Sequence, residues 1–183
     1  VAVNGGERLL DVGEVDGKTF VGIASLGLDS DANRIANDAK LVKGNLVYLY
    51  AALRALAQWK PATFDVTIDG DRHTFSGYSV AVANSKAYGG GMYLVPHAEL
   101  DDGILDVMLA GQYSKLRALL DLPKAFKGTH VNNPDLTFLR GERIEISADR
   151  PFTVYADGDP IADLPVSIRV AKRVLRVLVP PGG

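Results

Sequence analysis

The chain has 183 residues, 47% of them hydrophobic and 23% charged, with a formal net charge of −2 and no cysteine. That length and balance describe one globular domain with room for a small appendage. The charge argues against a nucleic-acid binder, the missing cysteines exclude disulfides and thiol catalysis, and no run approaches the roughly 20 apolar residues of a membrane span.

In chain order, residues 1–10 look like the end of a preceding element or a linker. Leu10–Val15 and Thr19–Ser25 read as two strands joined at Asp16-Gly17, a short hairpin signal. Gly27 breaks the second strand, and Asp29 or Ser30 can cap a short helix running to about Ala39. Asn45–Lys60 has apolar residues at Leu46, Leu49, Tyr50, Leu53, Leu56 and Ala57. That three-four spacing predicts a helix packed on the core, stopped by Pro61, with a face that could alternatively meet acyl chains or membrane. Phe64–Ile68 alternates as a half-buried strand, turns at Asp69-Gly70, and returns as Thr74–Ala83 to reach Asn84.

Residues 84–107 form the stretch around which the chain is arranged. It crosses Gly89-Gly90-Gly91, passes Pro96, meets Asp101-Asp102-Gly103 and re-enters a strand over Ile104–Ala110. Three successive glycines cost backbone entropy and fit where a side chain would obstruct. Read as residue types alone, Asp-Asp-Gly is an exposed turn. Ser114 caps a helix over Lys115–Phe126, bent near Pro123, with Gly128 just past its end. Leu136–Leu139, Arg143–Ser147, Phe152–Ala156, Val166–Val170 and Val174–Val179 read as strands. Many short strands with turn signals predict a mainly antiparallel β-sandwich with helices, an α+β chain. A domain division at 11–173, with residues 174–183 as a final strand and tail packing back on a missing domain, fits this pattern. His73, His97 and His130 are widely spaced, show no zinc pattern and read as loop or surface residues. No secretory pattern opens the chain.

Taken in order, Gly27-Leu28-Asp29-Ser30, then Asn84 followed by Gly89-Gly90-Gly91-Met92, then Pro96-x-Ala98, then Asp102-Gly103-x-Leu105-Asp106-Val107, then Asp157-Gly158-Asp159, resembles the C-terminal lobe of the diacylglycerol kinase and sphingosine kinase superfamily. The resemblance runs over nearly the whole chain. It implies a cytoplasmic, membrane-peripheral enzyme that moves the γ-phosphate of ATP to a lipid hydroxyl. A separate N-terminal domain with a Gly-Gly-Asp-Gly loop would bind the nucleotide, and this piece alone would be inactive. It implies Asp159 as the proton-accepting base, with Asp in the family's Glu position, one methylene shorter. On a hairpin turn the same three residues need no function.

The resemblance also implies a structural Mg²⁺ at Asp102, apart from the Mg²⁺ carried by ATP. Oxygens at the positions of Glu99 and Ile104 would assist, the latter through its backbone carbonyl. A hard oxygen ligand on a turn suits this ion. Asp106 reads as a supporting residue. Asp29, Asn84, Gly89, Gly90 and Gly91 are candidates for the substrate cleft. The implied partners are ATP, a lipid alcohol and a membrane surface, with no nucleic acid. An exposed strand edge offers a route to a homodimer. NAD kinase shares the architecture, but its Thr-Gly-Ser-Thr-Ala-Tyr-type segment is not found. A non-catalytic lipid-binding or interaction β-domain is the rival from another class.

Overall fold

The computed structural model describes residues 5–38, 46–60, 62–88 and 91–180. Its first half contains β1 (Gly6–Val15), β2 (Lys18–Phe20), β3 (Ile23–Gly27), α1 (Leu28–Asp38), α2 (Leu46–Gln58), β4 (Ala62–Ile68) and β5 (Asp71–Ala83). The chain continues through β6 (Ala87–Tyr88), β7 (Met92–Tyr93), β8 (Leu105–Gly111), α3 (Lys115–Ala125) and a short 3₁₀ turn, Thr129–Asn132. It ends with β9 (Leu136–Gly141), β10 (Arg143–Ala148), β11 (Thr153–Ala156), β12 (Asp159–Asp163) and β13 (Val166–Val179).

Alternation drives the outer strands. In β10, Ile144 and Ile146 turn inward while Arg143 and Glu145 face solvent, the period-two pattern of a half-buried strand. The inner strands β5 and β8 instead carry continuously buried runs, the apolar Val80-Ala81-Val82-Ala83 and Leu105 to Ala110, which is apolar but for Asp106. All pairings are antiparallel, in the path β12-β11-β3-β5-β4-β10-β13-β1-β2, with β8 joining β5 and β9. The first half of β5 pairs with β4 and its second half is flanked by both β3 and β8. One long strand therefore serves two parts of the sandwich around a core that includes Phe64, Val66, Val80, Leu105, Ile144 and Ile168.

The antiparallel β-sandwich expectation is met. Several details differ. β1 begins at Gly6, because Gly6–Leu10 pair with Leu175–Val179. The two last strands are one, β13, whose register slips opposite Asp11 and so bulges around Arg173, at φ 54°. The expected Thr19–Ser25 strand breaks at Val21-Gly22, and Asp159–Asp163, read only as turn and flank, form β12. Asp29 and Ser30 lie inside α1, and the Ser30 hydroxyl instead donates to the Gly27 carbonyl at 2.9 Å. Gly27 holds φ +98°, and a Cβ there would sit 2.3 Å from the Tyr78 carbonyl, so glycine is required where β3 turns into α1.

Among the described side chains of α2, Ala51 and Ala55 are buried and pack with Ile35 of α1, Leu56 packs partly buried against the main core, and Tyr50 and Leu53 are exposed; the side chains of Leu46 and Leu49 lie outside those described. Small residues let the two helix backbones approach. The leucine spacing identified the helix and the core contact of Leu56, but not the burial of Ala51 and Ala55. Helix α3 runs through Pro123, and Ser114 caps it as expected, accepting from the Arg117 amide.

Candidate functional site

Strands β3, β5 and β8 lie side by side and share two ends. One end is a polar rim; the other abuts an apolar cavity.

The rim is held by carboxylates bonded to main-chain amides. Asp11 is fully buried. Its two oxygens accept from the Gly103 amide at 2.7 Å and the Arg173 amide at 2.6 Å. It thereby fastens the Asp101-Asp102-Gly103 turn to the bulge of β13. Its own amide donates to the Leu100 carbonyl and its carbonyl accepts from the Asn84 side chain. Asn84 is also fully buried. Its Nδ2 bridges the Asp11 and Val21 carbonyls, each at 2.9 Å, while its Oδ1 has no partner. Asp157, at φ 52°, accepts from the amides of Val21, Gly22 and Ile23 at 2.8, 2.9 and 3.1 Å. Those amides would otherwise be left open by the break between β2 and β3. Asp159 stands across the two-residue turn from Ala156, exposed, its carboxylate without hydrogen-bond or ion-pair partner among the described residues. The two acids that flank Gly158 are thus unlike: one is committed to backbone and one is free.

Asp102 and Asp106 meet across Arg140 of β9. Arg140 pairs with Asp102 Oδ2 and, at 3.2 Å, with Asp106 Oδ1. Asp102 Oδ1 also accepts from the Ile104 amide at 3.2 Å. Burial pushes the Asp106 carboxyl up and the Arg140 charge opposes that shift, while its Oδ2 has no partner. Glu99 is exposed and Ile104 half-buried. Among the described residues no three His, Cys, Asp or Glu side chains cluster as a ready metal cage. The donors at Asp102 still fit a hard cation that keeps most of its waters. Asp102 offers one carboxylate, whose Oδ2 Arg140 occupies, and Asp106 Oδ2 beside it has no partner.

At the other end lies a cavity of about 140 Å³. Its walls include Leu28 and Asp29 of α1, Leu53 and Leu56 of α2, Met108 of β8 and Leu119 of α3. Such a volume matches engineered apolar cavities of about 150 Å³ that hold benzene-sized ligands. Its polar groups are few. Asp29 is half-buried, but its Oδ2 is enclosed and has no partner. Burial pushes its carboxyl up from 3.8 to about 6, against the lowering effect of a hydrogen bond from Ser79. Burial, followed by the charges of Asp121 and Asp29, pushes the Tyr113 hydroxyl up to about 12. Asp121 is tied by Lys124 at 2.6 Å and Asn133 at 2.8 Å. His130, expected on a loop or the surface, is buried, with Nε2 2.8 Å from the Leu94 carbonyl and Nδ1 unpartnered.

The structure therefore brings Asn84, Asp102 and Asp159 to one rim and places Asp29 elsewhere. Asn84 follows β5 where Ala83 faces Ile23, while Asp29 follows β3 where Gly27 faces Ser79. At about 3.3 Å per strand residue, Asp29 and the Asp157–Asp159 turn are roughly 15 Å apart along β3. Gly91 has φ +83° with open space beside it, and Gly89 and Gly90 lie outside the described residues. Sequence reasoning passed over Asp11 and saw Asp157 only as an acid confusable with Asp159. An acid set between Leu10 and Val12, both apolar, is the signal that could have singled out Asp11.

Residues 22–179 match the family described as the YegS C-terminal NAD kinase β-sandwich-like domain. A Mycobacterium tuberculosis diacylglycerol kinase is 31% identical over 100% of this chain and 61% of its own length. A Bacillus subtilis diacylglycerol kinase is 24% identical over 97% of this chain and 59% of its own. The chain thus spans about 60% of the length of these curated relatives. A solved Bacillus anthracis str. Sterne diacylglycerol kinase shares the fold at TM-score 0.66 and 18% identity, over 96% of this chain and 55% of its own. A second chain from the same organism reaches TM-score 0.75 at 19% identity, over 96% of this chain and 58% of its own.

Proposed function

The chain belongs to the family of YegS C-terminal β-sandwich-like domains, and on that premise we propose that it is the lipid-binding lobe of an ATP-dependent lipid kinase. The reaction moves the γ-phosphate of ATP to the hydroxyl of diacylglycerol or a related lipid. The observation that carries this reading is the apolar cavity under α1, α2 and α3, with one unpartnered oxygen of the Asp29 carboxyl in its wall. A pocket of apolar walls with a few placed polar groups is the usual form of a small-molecule site, and an acyl chain matches its lining.

In this reading Asp159 accepts the proton of the attacking hydroxyl, as a free carboxylate can and Asp157, occupied by three amides, cannot. An acyl chain is long enough to reach from the rim to the cavity, so the separation of Asp159 and Asp29 assigns them to different parts of the lipid. Asp102, with main-chain oxygens around Glu99 and Ile104, holds Mg²⁺. The bound ion supplies positive charge that fixes the turn. ATP and its own Mg²⁺ are held by the part of the kinase beyond this chain. The lobe works at a membrane surface in the cytoplasm.

The test is phosphate transfer to diacylglycerol by the full-length protein carrying Ala118→Trp, which fills the cavity from α3, or Asp159→Asn. Ala118→Trp should abolish lipid saturation with ATP affinity unchanged. Asp159→Asn should lower kcat by roughly 10²–10⁴-fold with the lipid KM nearly constant. Asp159→Glu, which restores the methylene, should keep activity. Lipid binding that is lost on filling the cavity, in a protein that transfers no phosphate, would favour the non-catalytic lipid-binding domain instead.

A further inference from the structure

Helix α3 presents large apolar side chains to solvent. Among its described side chains, Ala118, Asp121 and Ala125 are buried or half-buried, while Leu116 is 68% exposed, Leu120 64% and Phe126, just past its end, 49%. An exposed apolar patch of large side chains marks a surface that meets something apolar. Leu119 and, across the gap on α2, Leu53 each line the cavity and are each about 40% exposed. The cavity wall therefore reaches the molecular surface at Leu53 and Leu119, the latter on the same helix as Leu116 and Leu120.

The charges around this patch identify the occupant. Residues 114–128 carry Lys115, Arg117, Lys124 and Lys127 against the single acid Asp121, in a chain whose formal net charge is −2. Lys124 is paired with Asp121 and Arg117 with Asp135, so Lys115 and Lys127 are the cations of this segment without an acidic partner among the described residues. Lys115 donates to the Ala57 and Trp59 carbonyls and so pins the start of α3 to the end of α2. Large apolar side chains fringed by lysines are the pattern of a helix lying in a bilayer interface. Lysine is depleted in the interfaces that proteins make with one another.

We infer that the outer face of α3, centred on Leu116, Leu120 and Phe126, docks on an anionic lipid bilayer and sets the cavity mouth at the membrane. The inference rests on the lipid-kinase reading above. Docking there lets an acyl chain pass from bilayer to cavity between Leu53 and Leu119 without crossing water.

The experiment compares full-length protein with its Leu116→Gln, Leu120→Gln, Phe126→Gln triple variant. Both are sedimented with vesicles of equal parts phosphatidylcholine and phosphatidylglycerol, and with pure phosphatidylcholine. Both are assayed on a short-chain diacylglycerol below its aggregation point. The replaced side chains are exposed, so the melting temperature should hold. Vesicle affinity should fall on the order of 100-fold, given the apolar area withdrawn from lipid. Wild-type binding should weaken without the anionic lipid or with added salt, and turnover of the short-chain substrate should be unchanged. Equal binding of wild type and variant to the mixed vesicles overturns the proposal. So does a triple variant that binds vesicles normally but changes the oligomeric state, which would make the patch a protein contact. If neither protein turns over the short-chain substrate, the kinase reading fails while the vesicle comparison still decides the surface.

Discussion

The two ends of β3 and β5 use the same residue type in opposite ways. At the rim, Asp11 and Asp157 accept five main-chain amides between them. These carboxylates hold backbone that strand pairing has left open. At the cavity, Asp29 has an enclosed oxygen with no partner and an ionisation pushed upward by burial. An acid that satisfies buried amides stabilises the fold, and one left unsatisfied in an apolar wall costs stability unless a ligand meets it. The difference separates the acids that build the lobe from those available to act, which spacing alone does not do.

The largest effect expected from breaking this contrast is at Asp11. Asp11→Ala removes the acceptor of the Gly103 and Arg173 amides, the first of them buried. Two amides losing their partner at about 1–3 kcal/mol each should lower stability by roughly 2–5 kcal/mol. Urea unfolding of this chain measures it. A loss under about 1 kcal/mol would mean that water replaces the carboxylate, and the rim would not be the rigid end.

Much of this was legible from the sequence, for reasons that can be named. Arg143-Ile144-Glu145-Ile146 alternates cleanly, and Asp69-Gly70 marks the turn between β4 and β5, so the strands and the antiparallel class could be read. The ordered motifs pointed to the right family. What could not be read depends on distant partners. Asp11 meets residues 92 and 162 positions away, and nothing local announces them. The bulge at Arg173 lies opposite Asp11, which accepts its amide. In α2 the leucines dominate the pattern, yet Ala51 and Ala55 are buried because α1 approaches closely. The acids of Asp157-Gly158-Asp159 are equivalent in one dimension. Only the break at Val21-Gly22 selects Asp157 for structure and leaves Asp159 free.

A smaller effect, of opposite sign, is expected at Asp29. Its folded pKa of about 6 lies above the ordinary 3.8. Between those values the unfolded chain gives up its proton while the folded chain keeps it, so stability falls as pH rises through this window. The cost is fully present above about pH 6 and absent below about pH 3.8. Asp29→Asn cannot ionise, so the variant should match the wild type near pH 3.8 and exceed it by on the order of 1–2 kcal/mol at pH 7.5. Urea titrations at a series of pH values would show the two curves diverging. A constant gap would mean that the Asp29 carboxylate is solvated when ionised, and the cavity would lose its unpaired group.

The smallest effect belongs to Asp102, which lies between the two classes. Its Oδ1 accepts one local amide and its Oδ2 meets Arg140, whose side chain is half exposed. An ion pair of that kind contributes about 0–1 kcal/mol, so Asp102→Ala should shift the melting temperature little in buffer without divalent ions. If the carboxylate is a cation ligand, the wild type should gain stability with added Mg²⁺ as the folded state binds it, and the variant should not. The informative quantity is therefore the Mg²⁺ dependence of the difference, since Asp102→Ala also breaks the Arg140 pair. Arg140→Gln separates the two. It removes the pair but keeps the ligand, and it should raise the Mg²⁺ response because a competing cation has gone. Anomalous scattering from Mn²⁺-soaked crystals should place a peak by the Asp102 carboxylate and the main chain of Glu99 and Ile104. If neither variant changes the response to Mg²⁺ and no peak is found, Asp102 joins Asp11 and Asp157 as an acid that holds the rim together.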